Sequence, residues 1–246
     1  MKKILYTLLF LLPFNVLASG GVKLDSADID LSDTMAMERG AKYYVTYCLG
    51  CHSAKHIRYK RIAIDLKLDE AEVLKVVAPF GAGIYDQMHS AMNAHDAEKW
   101  FGTTPPDLSL IARSRGADWL YTYLRSFYAE PGKAPLGVNN VVFPDVGMPN
   151  VFWQLQGTQS AITQKIDGHD VITGLKLDQP GQMSPKEFDK MVNDLVNFLV
   201  YVGEPVQLER QQMGKYVLFF ILMFIALAYL LKKSTGKTYT NYNLSA

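Results

Sequence analysis

The sequence predicts a mainly α domain with long loops, carried on one C-terminal transmembrane helix. Three observations predict it. Apolar residues recur at helical spacing in separate stretches, Gly- and Pro-rich segments at 101–106 and 129–149 join them, and residues 216–231 read YVLFFILMFIALAYLL without a charge or a helix breaker. With 246 residues, 49% hydrophobic and 20% charged, the chain is neither disordered nor low-complexity and can bury a core. A formal charge of +1 offers no basic surplus for nucleic acid, and two cysteines cannot build a disulfide scaffold. No Walker loop, dinucleotide-type glycine run or His-Glu-x-x-His motif occurs.

The elements follow in chain order. Lys2 and Lys3 precede an apolar run from Ile4 to Leu12, then Pro13 and a small-residue site ending at Ala18. This is the layout of a secretory signal peptide over residues 1–18; its apolar run makes only ~14 Å of helix, too short for a ~30 Å hydrocarbon core. Helices are predicted near 37–48, 69–79, 107–128 and 185–201. The last starts at Ser184 as N-cap with Pro185 in the first turn, and Phe188, Met191, Val192, Leu195, Val196, Phe198 and Leu199 keep its apolar face. Gly203-Glu204-Pro205 ends it. Residues 157–180, with Thr, Ile, Val and three Gly, predict a short hairpin.

The anchor is read over 213–233. Its uncharged run makes about 24 Å of helix, and Lys215, Lys232 and Lys233 can snorkel to complete the span, with Tyr216 and Tyr229 near the interfaces. The tail, 234–246, follows Lys232 and Lys233, adds Lys237 and holds no acid, so the positive-inside rule places it in the cytoplasm. Residues 19–212 then form a periplasmic domain. Without Lys2 and Lys3 of the signal and Lys232, Lys233 and Lys237 of the cytoplasmic side, the external part, Lys215 included, keeps 20 of the 25 basic residues against all 24 acidic ones, a net of about −4. Most of these acids are a solvated surface; the sharper reading is a negative face that steers a basic partner.

Both cysteines fall in Cys48-Leu49-Gly50-Cys51-His52. On a helical turn, positions i and i+3 share a face, so both sulfurs can reach the two vinyl groups of one haem while His52 turns its imidazole onto the iron. A zinc site would need two further ligands; His56 lies four residues beyond His52, but no second cysteine pair exists. A thioredoxin-like dithiol wants a preceding strand, whereas Glu38 to Val45 reads as helix. The pattern therefore predicts haem c. Its sixth ligand comes from elsewhere. Met148, in Gly147-Met148-Pro149, stands on a short non-helical backbone that can press a side chain against a flat ring. Met88 and Met92, read on a helix, compete with it, as do His89 and His95 for a bis-histidine iron. A thioether ligand raises the potential relative to two histidines. Arg113 and Arg115 are candidates to compensate the haem propionates, since a guanidinium binds carboxylate bidentately and stays charged when partly buried.

These blocks together resemble the cytochrome c1 family, the haem subunits of the cytochrome bc1 complex, over nearly all of the chain beyond the signal. Arg39-Gly40 through Tyr44 to Cys48–His52 is similar to that family's haem-bearing helix. Pro105-Pro106-Asp107-Leu108-Ser109 with Arg115 is similar to a second block, and Gly147-Met148-Pro149 to the block of the axial methionine. Asp194 to Leu199 through Gly203-Glu204-Pro205 and the anchor complete the set. The resemblance implies a cytochrome c-like haem domain holding one haem c on Cys48 and Cys51, with His52 and Met148 on the iron and Arg115 at a propionate. It implies electron transfer from the Rieske iron–sulfur protein to a periplasmic cytochrome c, alongside cytochrome b in the respiratory bc1 complex of a bacterial inner membrane. In that role the chain is a subunit of a quinol–cytochrome c oxidoreductase with no catalytic residue of its own. The alternative is a stand-alone membrane-anchored c-type cytochrome, which predicts no stable association with a multi-span cytochrome b.

Overall fold

Two crossing helices organise the computed structural model, which describes residues 22–134, 136–166 and 168–243; the signal peptide read at 1–18 lies outside the described residues. The first, α1 (Thr34–Tyr47), begins three residues earlier than its spacing predicts, because the Asp33 carboxylate accepts from the Ala36 N–H at 2.9 Å and caps it. Its C-cap is Cys48, whose N–H donates to the Tyr44 carbonyl at 2.9 Å. The second is the long helix Pro185–Gly203, opened by a full capping box between Ser184 and Glu187 as the sequence suggests. The two pack so closely that a Cβ on Gly40 would stand 2.1 Å from the Asp194 carbonyl oxygen and 2.7 Å from Phe198 Cβ. Beside that crossing Arg39 grips Asp194 bidentately at 2.6 and 3.0 Å, and the Asp194 side chain is only 5% exposed. Tyr44 and Phe198 meet at 5.7 Å between ring centres, within a core that includes Met37, Leu49, Val192 and Leu195.

Between these helices the chain builds short elements. Strand β1 (Ala54–Arg58) pairs antiparallel with β2 (Gln87–Met88), and α2 (Tyr59–Asp65) and α3 (Glu70–Val77) lie between them in sequence. Met88 and Met92 are therefore not on a helix. Met88 sits in the β1–β2 ladder opposite Ala54, and Met92 precedes Asn93, which accepts from the His95 and Asp96 N–H groups and so starts α4 (Ala94–Phe101) only after both methionines. The predicted helix over 107–128 is broken in two. Gly116, at φ +90°, ends α5 (Ile111–Arg115) and begins α6 (Ala117–Arg125) in a conformation that disfavours other residues. Beyond it β3 (Phe127–Ala129) pairs with β4 (Val138–Asn140), inside a stretch read as helix end and loop.

After α7 (Trp153–Gln156), strands β5 (Gly157–Ile166) and β6 (His169–Pro180) form the predicted hairpin, antiparallel with two register shifts. Helix α8 is the long Pro185–Gly203 element. After the Glu204–Val206 joint, α9 (Gln207–Asn243) extends well past the predicted anchor at both ends. Its segment Gln207–Thr235 is long and apolar enough to cross a membrane, at mean hydropathy 2.2, and its apolar window is not buried inside the domain. At the joint, the Glu204 carboxylate accepts from Arg113 at 2.6 Å and from Arg210 at 3.0 Å. The N-terminal residues form an extended strap across α6 and α8. Asp25 N–H donates to Thr122 Oγ1, Ala27 N–H to Asp118 Oδ1 and Asp28 N–H to Asn193 Oδ1, while Asn193 and Asn197 amides donate to the Asp28 and Asp30 carbonyls.

Candidate haem site

Helix α1 delivers the Cys48–His52 turn to one end of the domain. The turn continues the helix direction: the Cys51 and His52 N–H groups both donate to the Cys48 carbonyl, at 3.0 and 2.7 Å. Cys48 and Cys51 are free thiols, the first buried, the second partly so. Burial pushes the Cys48 thiol up to about 12, with the neighbouring Cys51 adding to it, and burial raises Cys51 as well, so both sulfurs are neutral. Tyr44, fully buried one turn earlier, donates its hydroxyl to the His52 carbonyl at 2.7 Å and pins the far end of the turn.

The His52 ring is oriented from the Pro105-Pro106 segment. Its Nδ1 lies 2.7 Å from the Pro106 carbonyl. A carbonyl only accepts, so Nδ1 carries the proton and Nε2 keeps its lone pair. Burial lowers the imidazole below its usual value, against the opposing pull of the Pro106 bond and the Asp107 charge. Asp107 is itself fixed, accepting from the Lys55 and Ser109 N–H groups at 3.1 and 2.9 Å. Such a carbonyl bond on the far nitrogen is how proteins orient a metal-binding histidine.

Met148 comes to the same place from a loop a hundred residues on. Cys48, Cys51, His52 and Met148 line one apolar cavity, partly open to solvent, with Tyr47, Phe101, Pro105 and Val151 among its other walls. Gly147 makes the approach feasible: a Cβ there would press at 3.0 Å on the Phe101 carbonyl and the Thr103 methyl. The loop before it hangs on two asparagines. Asn140 Oδ1 accepts from the Val142 and Phe143 N–H groups, and Asn139 Oδ1 from that of Asp145, which sits at φ +58°. The Met148 thioether itself receives the Tyr123 hydroxyl at 3.3 Å.

The rival ligands are elsewhere. Met88 is buried in its strand pair, His89 is exposed with Nε2 3.1 Å from Gln87 Oε1, and His95 is exposed beside Asp96; none of them lines the cavity. Met92 lines a second recess with Ser90 and Asp107, which shares Cys51 and Pro105 with the first cavity but not His52. Neither arginine stands in the cavity wall. Arg113 is paired with Glu204, and the Arg115 guanidinium lies 5.0 Å from the Trp119 ring centre and 5.9 Å from that of Phe143. Sequence reasoning missed Tyr44, Tyr47, Phe101 and Tyr123, whose roles depend on contacts no linear motif encodes. Taken as donors, two thiols on one turn, an imidazole with a free Nε2 and a thioether in the wall of the same apolar cavity fit a covalently held haem c.

The chain matches the profile described as "Cytochrome C1 family" over residues 28–239. It is 50% identical over 240 residues to "Cytochrome c1" of Allochromatium vinosum, covering 96% of this chain and 98% of that protein. It is also 44% identical over 234 residues to a Nitrosomonas europaea protein described as "Ammonia monooxygenase gamma subunit", covering 95% and 96%. Among solved structures, a chain of "Hyperthermophilic respiratory Complex III" aligns over 98% of this chain and 97% of its own, with a TM-score of 0.47 and 18% identity.

Proposed function

Because the chain belongs to the cytochrome c1 family, we propose that it is the haem-bearing electron-transfer subunit of a bc1 complex, passing electrons from a Rieske iron–sulfur protein to a periplasmic cytochrome c. One observation carries this reading: Cys48, Cys51 and His52 of one turn and Met148, from a loop a hundred residues on, wall one cavity. Haem, when bound, supplies reversible one-electron chemistry at its iron. The chain's own residues do the rest. Cys48 and Cys51 hold the ring, His52 and Met148 ligate the iron, and Tyr44 and the Pro106 carbonyl keep His52 from turning. Tyr47, Phe101, Pro105 and Val151 exclude water from the ring faces, which favours the less charged, reduced state. Arg115, outside the cavity wall and packed on Trp119 and Phe143, is the propionate candidate on the family resemblance.

The same reading places α9 across a bacterial inner membrane as a single pass, with the haem domain in the periplasm and the C-terminus in the cytoplasm. The apolar segment Gln207–Thr235 and the cationic tail support it. Cytochrome b and the Rieske protein are then its partners in one membrane complex. Purification in mild detergent tests this directly. A pyridine haemochrome spectrum of haem c, haem that resists acid–acetone, and co-elution with a multi-span cytochrome b are the expected results. Covalent haem without any co-eluting cytochrome b would favour the stand-alone carrier, and extractable haem would overturn the attachment. A periplasmic reporter fused after Gly203 should be active and one after Gly236 inactive; the reverse overturns the orientation.

A further inference from the structure

Tyr123 carries a polar group where packing alone does not ask for one. Its ring stacks on Trp119 at 4.9 Å and 10° between planes and meets Phe127 edge-on at 5.2 Å, contacts that a phenylalanine would make equally well. Burial raises its phenol. Taking a hydroxyl even partly out of water costs free energy unless it is bonded, and this part-buried one donates to a thioether sulfur, a weak acceptor. The other end of the residue is tied to the same loop. The Tyr123 carbonyl accepts from Asn140 Nδ2 at 2.8 Å, and Asn140 Oδ1 in turn holds the Val142 and Phe143 N–H groups that lead to Met148. Helix α6 and the Met148 loop are thus joined at two points through one tyrosine.

We infer that Tyr123 is a positioning residue for the Met148 thioether, its hydroxyl occupying one sulfur lone pair so that the other is directed at the haem iron, and that this bond raises the reduction potential. The inference rests on the reading of Met148 as iron ligand. A thioether sulfur has two lone pairs, and a fixed O–H on one leaves the other for the metal. The same bond draws electron density from the sulfur, which disfavours the ferric state and lowers the energy of the sulfur donor orbital.

The test uses the full chain with its haem, in detergent, with a potentiometric titration and the near-infrared sulfur-to-iron charge-transfer band as readouts. Tyr123→Phe should keep haem content and the band but move the band to longer wavelength. It should also lower the reduction equilibrium constant about two- to five-fold, the scale of one neutral hydrogen bond. At 59 mV per tenfold that is a fall of roughly 20–40 mV. Phe127→Leu, which removes the edge-on contact to the same ring and spares the hydroxyl, should leave both readouts at the wild-type values. An unchanged potential and band in Tyr123→Phe, or an equal shift in Phe127→Leu, overturns the inference while the ligand reading stands. Met148→Leu separates the two: loss of the band with a large fall in potential supports the ligand reading, and a retained band overturns both.

Discussion

Replacing Gly40 by alanine adds one methyl at the crossing of α1 and α8, and the structure sets what it costs. The new Cβ would lie 2.1 Å from the Asp194 carbonyl oxygen, where ordinary contact is 3.4–4 Å, so the helices must part by about 1.3 Å at that point. The yielding atom belongs to a helix backbone rather than to a flexible side chain, which places the cost near the top of the ~1–3 kcal/mol range for overpacking. Separation also loosens Tyr44 against Phe198, and with it the bond that pins His52. Against the helix-propensity gain of about 1 kcal/mol for Gly→Ala, the net loss is about 2 kcal/mol or more. For a domain of this size that is a fall in melting temperature of roughly 4–8 °C. Thermal unfolding of the full chain in detergent, followed by circular dichroism, measures it. Gly214→Ala, where no atom lies within 4 Å of the added Cβ, is the control and should be neutral or stabilising. A Gly40→Ala melting temperature equal to that of the control refutes the close-approach argument.

Other perturbations have equally definite outcomes. Arg39→Met leaves the buried Asp194 carboxylate with only the Lys190 ammonium at 3.4 Å; because Arg39 keeps a third of its side chain in water and Lys190 remains, the cost should be about 2 kcal/mol, and Asp194→Leu in the same chain should recover part of it in urea titrations. Tyr44→Phe leaves the His52 carbonyl without its donor and should cost about 1–2 kcal/mol with haem content retained; an unchanged urea midpoint contradicts the pinning role. Arg210 first, then Arg113, holds the Glu204 carboxyl below its usual range. A depressed carboxylate contributes stability above the unfolded value of about 4.3 and loses it as pH falls through the lower folded value. The stability gap between the wild type and Glu204→Gln should therefore be full at pH 7 and close only below about pH 4; a gap that is constant down to pH 3 rules out the ion pairs as its source.

What the sequence discloses is what is local. The Cys48–His52 spacing is a covalent requirement within five residues, the Ser184–Glu187 box is closed within one turn, and the 157–180 hairpin carries its own pairing, so each is visible without the rest of the fold. The region 107–128 misleads because its apolar spacing runs straight through Gly116, whose φ of +90° breaks the helix without disturbing the period. Met88 and Met92 mislead for the opposite reason: the ladder that claims Met88 is supplied by Ala54–Arg58, some thirty residues earlier. Met148 is readable from Gly147 and Pro149, yet its hydroxyl partner is not, because Tyr123 reaches the sulfur across a helix and a two-stranded sheet. Arg115 has a motif context but an aromatic setting that only the fold supplies.

The strap and the α1–α8 crossing also fix an order of assembly. A chain is made from its N-terminus, and the partners of Asp28 and Asp30 are Asn193 and Asn197, separated from them by 165 and 167 residues. Arg39 likewise waits 155 residues for Asp194. Neither the strap nor α1 has its packing surface until nearly the whole domain has been synthesised, so these contacts close last and close slowly, as long-range pairings do. During that interval the Cys48–His52 turn has no α8 behind it, and both thiols are unshielded by that helix. The topology thus separates in time the making of the turn from its enclosure: one of the first segments of the domain to be made is among the last to be covered.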